Sequence, residues 1–336
     1  MNTKISVIIP VYNTKLYLKD AIESVLQQKD FIFEIIIIDD GSTDGSGDLL
    51  EKLYGKNDII RIRHTKNNGQ GQARNFGTKL ATGDFIYYFD SDDIIEINLF
   101  NKFHQTFSQI PDLELFCFSG ESFLDPKISI EDISNPSELS SKAFKRKINM
   151  SYNSGEEAFN ILVANNSFTP VPWLYIFKKS ILLDNNFEFR TIKYEDEEFT
   201  HQLFLFAGKT FISNDIFIYR RVRADSTMQI NRTFQDLLGY FQTIETLVKL
   251  KKRKSFKSIT KKTLNKRITE FVKLIIINKN LSNIDFSKDE KKSYLKHIFP
   301  FLTNNFSLLL FNIKYPIEYK LRKIKQKYFP KQNIKV

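Results

Sequence analysis

Ile5-Ser6-Val7-Ile8-Ile9-Pro10-Val11-Tyr12-Asn13 is the stretch that decides the fold. Its first seven residues carry one polar side chain and are rich in β-branched ones, the composition of a strand buried on both faces, and such strands occur in parallel sheets covered by helices. One lysine precedes the run, but Pro10, Asn13 and Lys15 stand where an export signal would be cleaved, so it reads as a first strand and not a leader. Outward from it, Leu18, Ala21, Ile22, Val25 and Leu26 recur at helical spacing. Residues 33–38 are a second buried strand, ending in Asp39-Asp40-Gly41-Ser42-Thr43-Asp44, and Leu49, Leu50 and Leu53 supply the apolar face of the helix that follows. Residues 59–62 form a short third strand and Asn67-Asn68-Gly69-Gln70-Gly71 a loop, after which Ala73, Phe76 and Leu80 mark a helix. Residues 85–89 are a fourth strand, closed by Asp90-Ser91-Asp92-Asp93. Strand and helix alternate throughout, which predicts an α/β fold with a mostly parallel sheet.

The polar residues gather where strands finish: Tyr12 and Asn13 after the first, Asp39 and Asp40 after the second, Asp90 to Asp93 after the fourth. Open parallel sheets bind ligands at the carboxyl ends of their strands, so clusters far apart in sequence should meet in one crevice. Further on, residues 121–155 turn polar, with Asp125-Pro126 and Asn135-Pro136, and read as a long loop or insertion. Order returns at Phe168-Thr169-Pro170-Val171-Pro172-Trp173, and Tyr194-Glu195-Asp196-Glu197-Glu198-Phe199 opens a helix on which His201 reads as a surface residue.

Charge divides the chain. Of 50 basic and 39 acidic residues, 24 basic and 6 acidic lie from Phe241 onward, leaving that tail at +18 and the preceding 240 residues at −7. An acidic body argues against a nucleic-acid enzyme, whose working surface is basic. The lone Cys117 sits in an apolar run, which excludes an internal disulfide and suits a buried small hydrophobe. No stretch approaches the roughly 20 apolar residues of a membrane span, so the expected location is cytoplasmic.

Asp90 and Asp92, alternating at a strand end, can both face the crevice if strand geometry persists, offering hard oxygen ligands to Mg²⁺ or Mn²⁺. An acidic turn capping a helix is the competing reading. Four segments in order then resemble the signature of the family-two glycosyltransferases: Val7-Ile8-Ile9-Pro10-Val11-Tyr12-Asn13, Ile38-Asp39-Asp40-Gly41-Ser42-Thr43-Asp44, Ala73-Arg74-Asn75-Phe76-Gly77 and Phe89-Asp90-Ser91-Asp92-Asp93. Pro172-Trp173, Lys178-Lys179-Ser180-Ile181-Leu182 and the acidic run at 194–199 are similar to that family's bacterial branch, which makes capsular and O-antigen polysaccharides.

The resemblance implies a GT-A fold with a C-terminal helical extension: a glycosyltransferase domain over 1–232, with a nucleotide-sugar half (1–120) and an acceptor half (121–232), followed by a basic extension over 233–336. It implies a sugar moved with inversion from a nucleoside diphosphate, UDP above all, to a saccharide or lipid-linked acceptor, with a divalent metal. Pro10 and Tyr12 of the first segment would lie at the nucleotide, Tyr12 stacking on the base, and Asp40 would accept the base's hydrogen bond. Asp90 would lie near the ribose and diphosphate, and Asp92 would hold the metal. Arg74 is either a nucleotide contact or an exposed helix cation. Asp196, paired with Glu195, would be the general base, against the alternative of an acidic helix start favoured by the helix dipole. Trp173 is either an acceptor wall or core. Arg220, Arg221 and Arg223, ahead of Ser226-Thr227, either close over the diphosphate or form a solvated basic strand.

Beyond Arg232 the chain reads as lysine-studded amphipathic helices, with Leu264, Ile268, Phe271, Val272 and Ile275 on one face. Phe299, Phe301, Phe306 and the run 308–311 suit either an anionic membrane face or an ordinary helical subdomain. Three rivals remain for the whole: a dinucleotide oxidoreductase, whose glycine fingerprint fails at its third glycine in Gly69-Gln70-Gly71-Gln72-Ala73-Arg74; a sugar nucleotidyltransferase, which wants a Gly-rich phosphate loop after the first strand; and a non-catalytic nucleotide-sugar-binding scaffold subunit.

Overall fold

A computed structural model describes residues 3–133, 139–223, 233–281, 286–303, 308 and 312. The chain divides into two compact units, Met1–Thr191 with Glu195–Ile230, and Ile192–Tyr194 with Asn231–Val336. Asn135-Pro136, Ser226, Thr227, Phe306 and residues 309–311 lie outside the described residues.

In the first unit the opening alternation is β1 (Ile5–Val11), α1 (Leu18–Leu26), β2 (Glu34–Asp39), α2 (Ser46–Tyr54), β3 (Ile60–His64), α3 (Gln70–Leu80) and β4 (Phe85–Tyr88). β1 lies between β2 and β4 and runs parallel to both, and β3 extends the parallel set beyond β2. All seven β1 positions are buried, which is why that segment is continuous in apolar residues instead of alternating. Parallel strands end on one edge, so Tyr12, Asp40 and Asp90 leave the sheet on the same side.

The remainder is β5 (Ile94–Ile95), α4 (Leu99–Gln109), β6 (Leu113–Leu124), β7 (Met150–Tyr152), α5 (Gly155–Ala164), β8 (Tyr175–Lys178), α6 (Ser180–Asn185), α7 (Glu195–Phe206) and β9 (Lys209–Val222). Among the described residues these strands complete one mixed sheet in the order β3-β2-β1-β4-β8-β6-β9-β5, with β7 also paired to β9. β8 runs antiparallel to β4 and β6 antiparallel to β8. Aromatic rings fill the seam: Tyr87 meets Phe100 edge-on at 5.8 Å, and Phe189 stacks on Phe199 at 3.9 Å.

Four expectations change. The polar stretch 121–155 is not wholly loop, because β6 runs on to Leu124 alongside β9 and β7 supplies another strand. His201 is fully buried, not superficial, with Nδ1 2.6 Å from the Glu197 carbonyl and its ring against Phe168 at 4.8 Å. α3 does not bury Phe76, which is 37% exposed; it turns Ala73, Arg74, Asn75 and Gly77 inward. Gly77 is required there, since a Cβ would lie 2.4 Å from a methyl of Ile8. The arginines at the end of β9 are not a solvated basic strand, since Arg221 is 6% exposed.

The second unit contains α8 (Phe234–Lys251), α9 (Ser258–Leu281) and α10 (Lys288–Thr303). Leu264, Ile268, Phe271, Val272 and Ile275 are buried on α9, as their spacing predicts. On α10, Tyr294, Ile298 and Leu302 turn inward, while Leu295 and Phe299 are 51% and 63% exposed beside the exposed lysines 291, 292 and 296. Among the described residues no helix is long and apolar enough to cross a membrane.

Candidate functional site

Three groups of side chains build the crevice at the strand ends. The first surrounds the turn after β2, where Gly41 and Gly45 adopt φ of +76° and +84°. Asp40 is buried and holds the loop before α3: its oxygens accept the backbone N–H groups of Asn68 at 2.9 Å and Gly69 at 2.8 Å, and the Thr65 hydroxyl at 3.2 Å. Asn13 ties β1 to the same turn by accepting the Thr43 N–H at 2.8 Å. Beside it Tyr12 stands half exposed, and Pro10 is buried in β1. His64 lies 2.9 Å from Asp39 and 3.0 Å from Glu51, and hydrogen bonding to these carboxylates raises its pKa.

The second group follows β4. Strand geometry stops at Tyr88 and residues 91–92 form a turn, so Asp90 and Asp92 are not presented by strand alternation as expected. Asp90 accepts Gln70 Nε2 at 2.9 Å and Arg74 Nη2 at 2.8 Å. Asp92 is paired instead with Arg223, whose Nε is 2.8 Å away, and its carbonyl accepts Arg221 Nε at 2.9 Å. Asp93 is buried and accepts the Arg221 N–H at 2.9 Å. The Arg221 guanidinium lies 3.6 Å from both Asp20 and Asp125 and packs over Tyr17 and Phe123. Burial raises the Asp90 and Asp93 carboxyls, on Asp90 against the pull of Arg74, and on Asp93 with further repulsion from Asp92 and Asp90.

The third group is the first turn of α7. Glu198 is paired with Arg190 at 2.6 Å and Glu195 with Arg74 at 3.5 Å. Asp196 has no ion-pair partner among the described residues; one oxygen accepts the Glu197 N–H at 2.9 Å. Burial, with repulsion from Glu195 and Glu197, pushes its carboxyl well above the usual range.

Arg74 joins the groups. It is 2% exposed, not an exposed helix cation, and binds Asp90 from one side and Glu195 from the other. Asn75 ties α3 to the segment between α6 and α7: its side-chain amide both donates to the Phe189 carbonyl at 2.7 Å and accepts the Phe189 N–H at 2.9 Å. Gly71 admits Glu195, since a Cβ there would lie 2.9 Å from the Glu195 Cγ. Gly69 and Gln70 thus link Asp40, Asp90, Arg74 and Glu195 into one set, with Asp196 following Glu195 in the chain. Trp173 stands apart from these bonds: it is 5% exposed, and its ring packs against Phe144 at 5.1 Å. Sequence reasoning gave no role to Gln70, Gly71 and Asn75, although Asn75 adjoins Arg74 and the other two open the helix that carries it. Among the described residues no three acidic, histidine or cysteine side chains cluster into a cage for a metal ion. Asp90 and Asp92 supply hard carboxylate oxygens, a donor set that suits an ion completed by phosphate oxygens.

Residues 6–160 match the family model described as Glycosyl transferase family 2. Along its length the chain is similar to glycosyltransferase GlyG of Streptococcus pneumoniae, 29% identical over 247 residues, covering 68% of this chain and 74% of that one. In three dimensions it is similar to S. aureus TarS in complex with UDP-GlcNAc, with a TM-score of 0.66 at 18% identity over 89% of this chain and 81% of that one. A mannosyltransferase from Pyrobaculum calidifontis, in complex with GDP-Man and Mn²⁺, aligns with a TM-score of 0.52 at 13% identity over 99% of this chain and 89% of that one.

Proposed function

We propose that the chain is a family-two glycosyltransferase of the GT-A fold and that it moves one sugar from a UDP-sugar to a hydroxyl of a saccharide or lipid-linked saccharide, with inversion, in the synthesis of a cell-surface polysaccharide. The observation that carries this reading is Arg74, which holds Asp90 of the β4 end and Glu195 of the α7 start to one buried guanidinium. Donor-side and acceptor-side carboxylates therefore share a crevice.

Residues 1–120 form the donor half and 121–232 the acceptor half, with 233–336 an extension. Tyr12 offers its exposed face to the base, above Pro10. Asp40 retains lone pairs for a base N–H while it fixes the loop that starts α3. Asp90 and Arg74 lie toward the ribose and diphosphate. Asp92, aided by Asp90, would hold Mn²⁺ or Mg²⁺, an ion that neutralises charge on the departing diphosphate when bound. The Arg223 pairing must then yield or move to the phosphates.

Asp196 is the base because, among the described residues, it is the member of the acidic pair without an ion pair. Its raised pKa makes it a stronger base than an ordinary carboxylate once ionised. It takes the proton of the acceptor hydroxyl as that oxygen bonds to the anomeric carbon and the carbon–diphosphate bond breaks. One displacement inverts the configuration. Trp173, largely buried, serves as a wall beneath the acceptor and not as a stacking platform. The outward Leu295 and Phe299 among lysines on α10 fit shallow contact with an anionic membrane, where a lipid-linked acceptor would be met.

The deciding experiment compares Asp196→Asn with the parent. UDP affinity by calorimetry should be unchanged and transfer lost, with the parent's product shown by NMR to be inverted. Full turnover by Asp196→Asn, or a retained anomeric configuration, removes this mechanism.

A further inference from the structure

The residue that leads into α7 holds a conformation its side chain disfavours. Tyr194 has a φ of +59°, in the left-handed region, where a bulky aromatic residue is an outlier. The next two residues are Glu195 and Asp196. Strain of this kind persists only where surrounding contacts over-determine the backbone.

Those contacts come from α8. The Tyr194 ring stacks on Tyr240 with centroids 4.4 Å apart and planes 8° from parallel. The Tyr194 hydroxyl donates to Asp236 Oδ1 at 3.0 Å. Asp236 is itself fixed, because its other oxygen accepts the Thr233 N–H at 2.6 Å and the Thr233 hydroxyl at 2.9 Å, closing a capping box at the start of α8. Gly239 lets the Lys193 carbonyl approach so closely that a Cβ would lie 2.2 Å from that oxygen. Behind the stack, Tyr240 packs on Phe271 of α9 at 5.8 Å. Residues 192–194 therefore belong to the helical unit, while the peptide bond after Tyr194 starts the helix that carries the acidic pair.

We propose that Tyr194, held by Tyr240 and Asp236, is a positioning residue for Glu195 and Asp196, the two residues that follow it in the chain. This rests on the reading of Asp196 as the base. Releasing Tyr194 lets its φ relax to a common value, which re-aims the first turn of α7. A displacement of about 1 Å in a reacting group costs on the order of 100-fold in rate. Tyr12 and Asp40 belong to β1 and β2, so nucleotide affinity is expected to stay constant.

The test uses the full chain and the donor that supports turnover in the parent. Tyr240→Leu removes the stack and should lower kcat by about 10- to 100-fold, with UDP affinity and donor KM within about twofold of the parent. Tyr240→Phe keeps the stack and should restore kcat. If Tyr240→Leu does not fold, Tyr194→Phe decides: it deletes only the bond to Asp236 and should lower kcat by a smaller factor at constant UDP affinity. Parental kcat in folded Tyr240→Leu or in Tyr194→Phe, or a loss matched by weaker UDP binding, overturns the proposal. Asp196→Asn, assayed in parallel, separates the two ideas. Turnover there removes the base assignment, whereas an inactive Asp196→Asn beside a fully active Tyr240→Leu removes the positioning role alone.

Discussion

Replacing Arg74 with methionine keeps most of the unbranched stem of the side chain and deletes its charged head. In the native crevice the Arg74 side chain is 3% exposed, and its partners Asp90 and Glu195 are 20% and 19% exposed. Removing one member of a buried ion pair costs about 3–5 kcal/mol, because the other charge is left without compensation. Two features pull the expectation to the lower end. The carboxylates keep some solvent contact, and Arg74 Nε is already buried without an acceptor, so its removal returns about 1 kcal/mol. Arg74→Met should therefore destabilise the first unit by about 3 kcal/mol. Urea unfolding read by the fluorescence of Trp173, the single tryptophan and itself buried in this unit, measures it. The cost must also depend on pH. Asp90 and Asp196 have raised carboxyl pKa values, which rise further once the guanidinium is gone. Their repulsion is fully present above those values and fades as pH falls through them, so the deficit of Arg74→Met should be larger at pH 8 than at pH 5. A deficit below about 1 kcal/mol at pH 8, or one equal at both pH values, would refute the view of Arg74 as the charge that holds the crevice together.

Asp196→Asn should stabilise the fold at neutral pH while abolishing transfer: a carboxyl raised in the folded state weakens stability as pH climbs past its folded value, and the amide does not ionise. Each kcal/mol so relieved raises the melting temperature by about 2–4 °C, and a lower melting temperature would contradict the burial of an unpaired charge. Asp92→Ala should abolish any Mn²⁺ enhancement of UDP binding in calorimetry, and an enhancement of parental size would move the metal elsewhere. Gly77→Ala should cost about 1–3 kcal/mol by forcing α3 away from Ile8; a neutral result would show that the helix shifts freely. Cys117, whose thiol burial pushes up to about 12, should resist alkylation in the folded protein at pH 8 and react only on unfolding.

β1, β2 and β4 were legible because each is buried on both faces, so apolar residues follow one another and the polar ones collect at the ends. β1 spans the residues its sequence marks. The same logic fails at α3. Its inward face carries Arg74, Asn75 and Gly77, because the space is filled by polar partners and by Ile8, while Phe76 faces out. A rule that sends apolar residues inward cannot see a helix whose buried side is made of hydrogen bonds. His201 misleads for the same reason: a polar residue among charged neighbours reads as superficial, yet the Glu197 carbonyl and two phenylalanine rings accommodate it inside. The destination of Arg221 and Arg223 was not readable at all. It depends on β9 lying beside β6 and β5, and pairings across 128 residues or more leave no local trace.

The amide clasp between Asn75 and Phe189 joins residues 114 positions apart, and β4 waits for β8 in the same way, Phe85 pairing with Lys178. On a ribosome adding about 5–20 residues per second, the nascent chain therefore spends several seconds or more with the apolar edge of β4 uncovered. Such an edge recruits other strands. The gap between the two halves is thus a window in which this polypeptide is most exposed to misassembly and most dependent on chaperones.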